Sequence, residues 1–424
     1  MTHSSQVAAP AVTSPSSPSQ SAGARRWWAL ALICVAQFML VLDVTVVNVA
    51  LPTIDAELDL GAQLGWVMAA YSLPFGVLLI VGGIIADRIG LRTSFLIGLL
   101  VFTLASLGAS TAGAAGVLIA ARVAQALGAA MLSPAALGMV ISLFDGAARH
   151  RALAVWAGIG GAGAAIGAVV GGVLTQLGGW RWVFLVNVPV GVLIALLVLP
   201  IVRRAMLAPP EQAAARVRPV AATVRLLHAR PVAGGAITML LASLFLIGSF
   251  FVLTIALQDG AGIDPLGAGL AFLPAAVGVA LGAQLGAHLL GRMSQRAVGA
   301  IAFATVSVGF AITWLTPHNV LALVIGVALA ALGLGPALVT ATTTATSGAS
   351  PSESGAASGV VNTVHEIGGG IGVLLASMPM LVAVAPPGDT TVFGYAAVAA
   401  VAAGVIVTLV LPSGRVHASG AMPH

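Results

Sequence analysis

Apolar runs long enough to cross a lipid bilayer recur along almost the whole chain, and no other feature restricts its fold as strongly. A hydrocarbon core about 30 Å thick calls for about 17 or more apolar residues in a helix. Stretches of that length occur at 27–52, 64–86, 93–111, 115–143, 152–176, 182–202, 233–257, 266–290, 297–316, 320–346, 357–384 and 391–411. Inside lipid each must be helical, because only a helix satisfies its backbone hydrogen bonds within one segment. The expected fold class is therefore an all-α integral membrane protein with about twelve transmembrane helices. Only 7% of residues are charged and 59% are hydrophobic, whereas about a quarter of a soluble protein's residues are charged. A soluble protein is excluded.

Arginine supplies every basic residue, and its placement sets an orientation. With the N-terminus inside, Arg25, Arg26, Arg88, Arg92, Arg149, Arg151, Arg203, Arg204, Arg216, Arg218, Arg225, Arg230, Arg292, Arg296 and Arg415 all fall on the cytoplasmic side. Arg181 falls outside and Arg122 within a span. Such an asymmetry is what the positive-inside rule requires. Trp66, Trp180, Trp182 and Trp314 fall near outer boundaries, where an interfacial aromatic belt is expected. The net charge of +5 is scattered between apolar runs with no aromatic interleaving, so no nucleic-acid partner is expected. The lipid bilayer is the expected surroundings and a monomer the expected state. Arginine without lysine, in a chain rich in Ala and Gly, suggests a GC-rich bacterial genome and hence a bacterial cell membrane.

Composition divides the chain further. Residues 1–24, rich in Ser, Pro and Ala, read as a disordered cytoplasmic tail. Residues 25–202 form a first six-helix bundle, 203–231 a basic cytoplasmic linker, 232–412 a second six-helix bundle and 413–424 a cytoplasmic tail. An offset of 204 places Gly82, Arg88 and Arg92 over Gly286, Arg292 and Arg296, which favours an internal duplication with a central cavity between the halves.

Several polar residues interrupt the spans. Asp43 lies in the outer half of the first span, about sixteen residues or roughly 24 Å along it. Arg122, about eight residues into the antiparallel fourth span, lies roughly 12 Å from the outer side. An ionised carboxylate at the centre of a bilayer costs about 2.5–3.5 kcal/mol on insertion scales, so it persists only if paired, hydrated or readily protonated. A cavity whose hydration changes between two states could load and unload a proton at Asp43; a static helix-to-helix tie is the other reading. Asn48 reads as a helix–helix hydrogen bond or a substrate contact. Glu366, beside His365 in "HEIGGG", is a second proton site or is paired with His365 or a neighbouring helix's backbone donors. Gly369 stands where a zinc-protease motif would need its second histidine, so no metal site is expected there. The single Cys34 excludes an intrachain disulfide. With no nucleophile–base pair either, an enzyme is not expected.

"GGIIADRIGLR", residues 82–92, places Gly83, Asp87, Arg88, Gly90 and Arg92 at the cytoplasmic end of the second span. These residues read as a gate that locks one face shut, or as a simple positive-inside anchor. In the fifth span Gly163, Gly167 and Gly171 recur four apart, with Gly172 beside them, and close helix packing at the interface of the halves is expected. Gly333, Gly335 and Pro336, followed by threonines from Thr340 to Thr346, suggest a kink whose freed carbonyls the hydroxyls satisfy.

Together these motifs resemble the major facilitator superfamily, and within it the drug:proton antiporter family that usually has fourteen spans. "LDVTVVNVALP" (42–52), "GGIIADRIGLR", "RVAQALGAA" from Arg122, "GAVVGG" (167–172), "WRWVFLVNVPVG" (180–191) and "SGVVNTVHEIGGGIG" carry the resemblance. It implies proton-driven export of small amphipathic molecules by alternating access, with Asp43 and Arg122 in the coupling region and no cofactor beyond the proton gradient. By the same analogy Gln37, Met39, Gln125 and Met131 are candidates to contact substrate. A proton-coupled importer or facilitator, or a scaffold or receptor that does not transport, are the competing readings. The chain departs from the family pattern at Ala126 (usually Gly), Ala168 (usually Pro), His365 and Glu366 (usually Arg-Gln), and in lacking two spans.

Overall fold

A computed structural model describes residues 20–202, 228–347, 349, 353–381 and 390–414. Residues 1–19 of the expected tail, 203–227 of the expected linker and 415–424 lie outside the described residues. The elements among the described residues are all helical: α1 (Gln20–Leu58), α2 (Leu64–Ile89), α3 (Leu91–Ser110), α4 (Ala115–Leu143), α5 (Gly146–Gly178), then α6 (Arg181–Leu185) and α7 (Asn187–Ile201), which together make one crossing. After the linker come α8 (Arg230–Ile255), α9 (Pro265–Ala271) and α10 (Leu273–Leu290), again sharing one crossing, α11 (Gln295–Leu315), α12 (Val320–Ser347), α13 (Ser354–Leu381) and α14 (Thr391–Val410). Among the described residues, eleven helical segments are long and apolar enough to cross a bilayer, and the 33-residue α5 is also long enough. The chain is a multi-pass, all-helical membrane protein. An even number of crossings brings both ends of the described chain to one face, called here the terminal face; the opposite one is the far face.

The two halves repeat one another in detail. Gly82 of α2 lies against the backbone of Ala130 in α4, and Gly286 of α10 lies against Pro336 in α12. Arg92 Nη2 donates to Leu199 O at 2.8 Å, and Arg296 Nε donates to Leu411 O at 2.6 Å. Each arginine thus satisfies a carbonyl near the end of its own half's last helix, where orphan carbonyls and the helix dipole favour a cation.

The halves join over the far part of the bundle. Asn48 of α1 donates to Thr254 Oγ1 at 2.8 Å and to Phe250 O at 3.2 Å, both on α8. Gln258 Nε2 returns a bond to Val49 O at 2.8 Å. On one flank α5 meets α9 at Gly172 and Leu266; on the other α2 runs antiparallel to α13, with Gly65 beside Ser377, Leu73 beside Gly370 and Gly76 beside Glu366. Nearer the terminal face the partners change. Gly82 and Gly83 of α2 turn to α4 of their own half, and Val360 and Val361 of α13 are buried within the second half. The halves therefore meet from the far face to mid-bundle, and each packs on itself beyond that.

Three expectations are revised here. Trp66, Trp182 and Trp314 are exposed as an interfacial belt requires, but Trp180 is 1% exposed. Its Nε1 donates to Glu57 Oε2 at 2.7 Å, while Arg181 pairs with Glu57 and stacks over the Trp180 ring at 4.4 Å. This local pairing accommodates the one arginine that departs from the charge asymmetry. The stripe of Gly163, Gly167 and Gly171 packs on Val41, Thr45 and Val46 of α1 inside the first half, and only Gly172 faces the other half. Finally, α12 continues through Pro336, and Thr342, Thr343 and Thr346 bond carbonyls C-terminal to the proline, at 338, 339 and 342. The carbonyl the proline frees, at Leu332, faces Gly282 instead.

Gly90 links α2 to α3 with φ 91° and ψ 141°, a region essentially reserved for glycine. No atom lies within 4 Å of where its Cβ would sit. Gly90→Ala is therefore expected to cost about 1–3 kcal/mol through backbone strain alone. Thermal unfolding in detergent checks this, and an unchanged midpoint contradicts it.

Candidate functional site

Asp43 faces the interior of the first half, where its side chain and that of Arg122 are both 0% exposed. Arg122 Nη1 pairs with Asp43 Oδ2. The other carboxylate oxygen accepts from Asn187 Nδ2 at 2.9 Å and Gln125 Nε2 at 3.2 Å. Arg122 Nε donates to Val67 O at 3.0 Å, Nη1 also donates to Gln125 Oε1 at 2.9 Å, and the guanidinium lies 4.4 Å from the centroid of the Tyr71 ring. Gln125 Nε2 donates in addition to Ser106 Oγ at 2.8 Å. Burying two charges costs several kcal/mol per ion, and their attraction offsets this only when further hydrogen bonds and good geometry support it. Here α1, α2, α3, α4 and α7 all supply a partner. Arg122 Nη2 and Tyr71 Oη are left without a protein partner.

Among the described residues, the second half has no such network of charged side chains. At the offset of 204, Ser106 corresponds to Phe310, whose ring lies 6.0 Å from Phe245 and 5.7 Å from Phe393. At that position the second half thus has apolar aromatic packing where the first half has a polar side chain.

The depths of Asp43 and Arg122 were legible in the sequence, but Asn187, Ser106 and Tyr71 were missed. Asn187 gave one usable signal, as a lone amide in an apolar span. In this conformation the Asp43 carboxylate is closed off from solvent.

The substrate candidates scatter. Met39, one turn before Asp43, is buried in the first half's core. Gln125 belongs to the Asp43 network. Asn48 holds the halves together and also lines a cavity of about 20 Å³, room for a single water, with Met68, Ala168 and Phe250. Gln37 and Met131 are half-buried, and Gln37 Oε1 has no protein partner. The glycine-flanked charges at the junction of α2 and α3 separate: Arg88 is exposed, Arg92 bonds the end of α7, and Asp87 has no hydrogen bond or ion pair among the described residues.

His365 and Glu366 are not paired. Consecutive residues on a helix point about 100° apart, so His365 reaches α8, with Nδ1 2.5 Å from Ser243 Oγ. Glu366 faces α2 at Gly76. Among the described residues, no three His, Cys, Asp or Glu side chains group as a metal site.

Comparison with known proteins agrees with this architecture. The puromycin resistance protein of Streptomyces alboniger is 34% identical over 466 aligned positions, covering 93% of this chain and 92% of that one. The cephamycin export protein of Amycolatopsis lactamdurans is 34% identical, covering 81% and 83%. Among solved structures, a bacterial homolog of the human lysosomal transporter Spinster, inward-facing and unoccupied, superposes with a TM-score of 0.70 at 18% identity, covering 91% of this chain and 95% of that one. A peptide-bound transporter of the POT family gives 0.72 at 13% identity over 90% and 95%. Residues 33–373 match the family model of the Major Facilitator Superfamily, and the chain belongs to that family.

Proposed function

We propose that this protein is a proton-coupled antiporter that exports small amphipathic molecules by alternating access. On this reading it lies in the bacterial cell membrane with both termini cytoplasmic. Residues 25–202 and 232–412 are the two rocking bodies and 203–231 links them. The far face is then extracellular, and the contact pattern corresponds to a state closed outside. The resistance and export proteins among the relatives supply the substrate class.

The single observation that carries the proton role is the fully buried Asp43–Arg122 pair. Opposite charges about 4 Å apart attract by about 4 kcal/mol at an effective dielectric constant of about 20. Protonating Asp43 removes that attraction and frees Arg122, whose Nη2 already lacks a protein partner. The membrane potential supplies about 2.3 kcal/mol per charge per 100 mV. Glu366, at the junction of the halves, is the second proton site. Asp87, Arg88 and Arg92, with Gly83 and Gly90, form a gate that closes the terminal face in the opposite state.

Reconstituted in liposomes with an acid interior, the protein is expected to accumulate puromycin inside as protons leave, and a protonophore is expected to stop it. Accumulation that ignores the protonophore would indicate a facilitator. Accumulation only with an alkaline interior would indicate a symporter.

A further inference from the structure

We propose that Glu366 is the anionic anchor for organic cations, a carboxylate that an amphipathic ammonium or phosphonium ion occupies in exchange for a proton. The assignment deepens the transport reading, since it takes the gap between α2 and α13 as part of the substrate path.

Position is the first argument. Glu366 lies where α2 and α13 part: Gly76 and Leu73 touch α13 from this level toward the far face, while Gly82 and Gly83 have turned to α4. Its side chain is only half-buried, and Asn362, one turn toward the terminal face, is exposed. The other mid-membrane carboxylate, Asp43, is 0% exposed. Of these two acids, Glu366 is thus the one a molecule entering between the halves can reach.

The second argument is its lack of a protein counter-charge. Glu366 has no hydrogen bond or ion pair among the described residues, in contrast to Asp43. On α13 itself His365 points to Ser243 of α8. On α2 the facing groups are Gly76 and, one to two turns away, Tyr71, whose ring is already covered by Arg122. Arg122 in turn is committed to Asp43. A carboxylate in an apolar setting needs a cation or a proton, and none of the surrounding side chains offers the cation. Ile367, next to it on α13 and likewise packed against Gly76, adds apolar surface for the body of an amphipathic ion.

Equilibrium binding of tetraphenylphosphonium to the purified full-length protein in detergent tests this, because the probe keeps its charge at every pH and no gradient is present. Saturable binding is expected that weakens as pH falls. Glu366→Gln should weaken it by about tenfold or more and remove the pH dependence, as expected when a charge-assisted contact is lost. Glu366→Asp should restore most of the affinity in monodisperse protein. No saturable binding by the unaltered protein, unchanged affinity in Glu366→Gln, or equal loss in both variants would overturn the assignment. Failure of pH-driven puromycin uptake would count against the transport reading alone, since this binding is measured without it.

Discussion

Asp43→Asn is expected to abolish proton-driven uptake in acid-loaded liposomes while substrate counterflow, which needs no net proton movement, persists. The replacement amide has nearly the same shape and keeps an oxygen to accept from Arg122. It cannot take up a proton at any physiological pH, so the switch between paired and unpaired states is lost. Removing the negative charge also leaves Arg122 buried without a counter-ion, and breaking a buried pair in this way costs about 3–5 kcal/mol. A lower unfolding temperature in detergent should therefore accompany the transport defect. The two readouts separate the alternatives: if Asp43 were only a static tie between α1, α4 and α7, uptake and counterflow would fall together with stability. Retained uptake with a normal response to the gradient would remove Asp43 from the coupling mechanism.

The residues explain which parts of this were legible in advance. Hydropathy locates crossings because lipid imposes helices of nearly fixed length, and antiparallel crossings place Asp43 and Arg122 at similar depth without any knowledge of packing. Rotation about each helix axis is harder to read. Met39 and Asp43 are four residues apart, so they share a face of α1, and that face points into the first half. Thr45 and Val46 point to α5, and Asn48 and Val49 to the second half. One helix thus meets three environments, and its apolar sequence carries no mark of where each begins. Trp180 misled for a related reason: it sits at the membrane boundary in sequence, but its indole N–H had an acidic partner, Glu57, 123 residues away. Asn187 was hidden by a comparable separation, 144 residues from Asp43.

The adjacent glycines of α5 offer the sharpest test of alternation, because they contact different bodies. A Cβ on Gly171 would come within 2.8 Å of Val46 Cα on α1, inside the first half. One on Gly172 would come within 2.6 Å of Pro265 O and 2.8 Å of Leu266 Cα, on the second half. Both contacts involve backbone, which cannot rotate away as a side chain could. Gly171→Leu should therefore damage the fold of its own half, since overpacking a close contact costs about 1–3 kcal/mol or more, and should reduce the yield of monodisperse protein. Gly172→Leu should leave each half intact and penalise only the conformation in which the far face is closed. The same cost then becomes a shift of about 5-fold to 150-fold in the conformational equilibrium. Met68, 1% exposed beside the small cavity at Asn48, reports on that closure. With Cys34→Ala as background, a Met68→Cys thiol should react much faster with a membrane-impermeant maleimide from the far side when Gly172→Leu is present. Unchanged labelling in well-folded protein would mean that the α5–α9 contact does not part during transport, and that the halves do not rock about the terminal face.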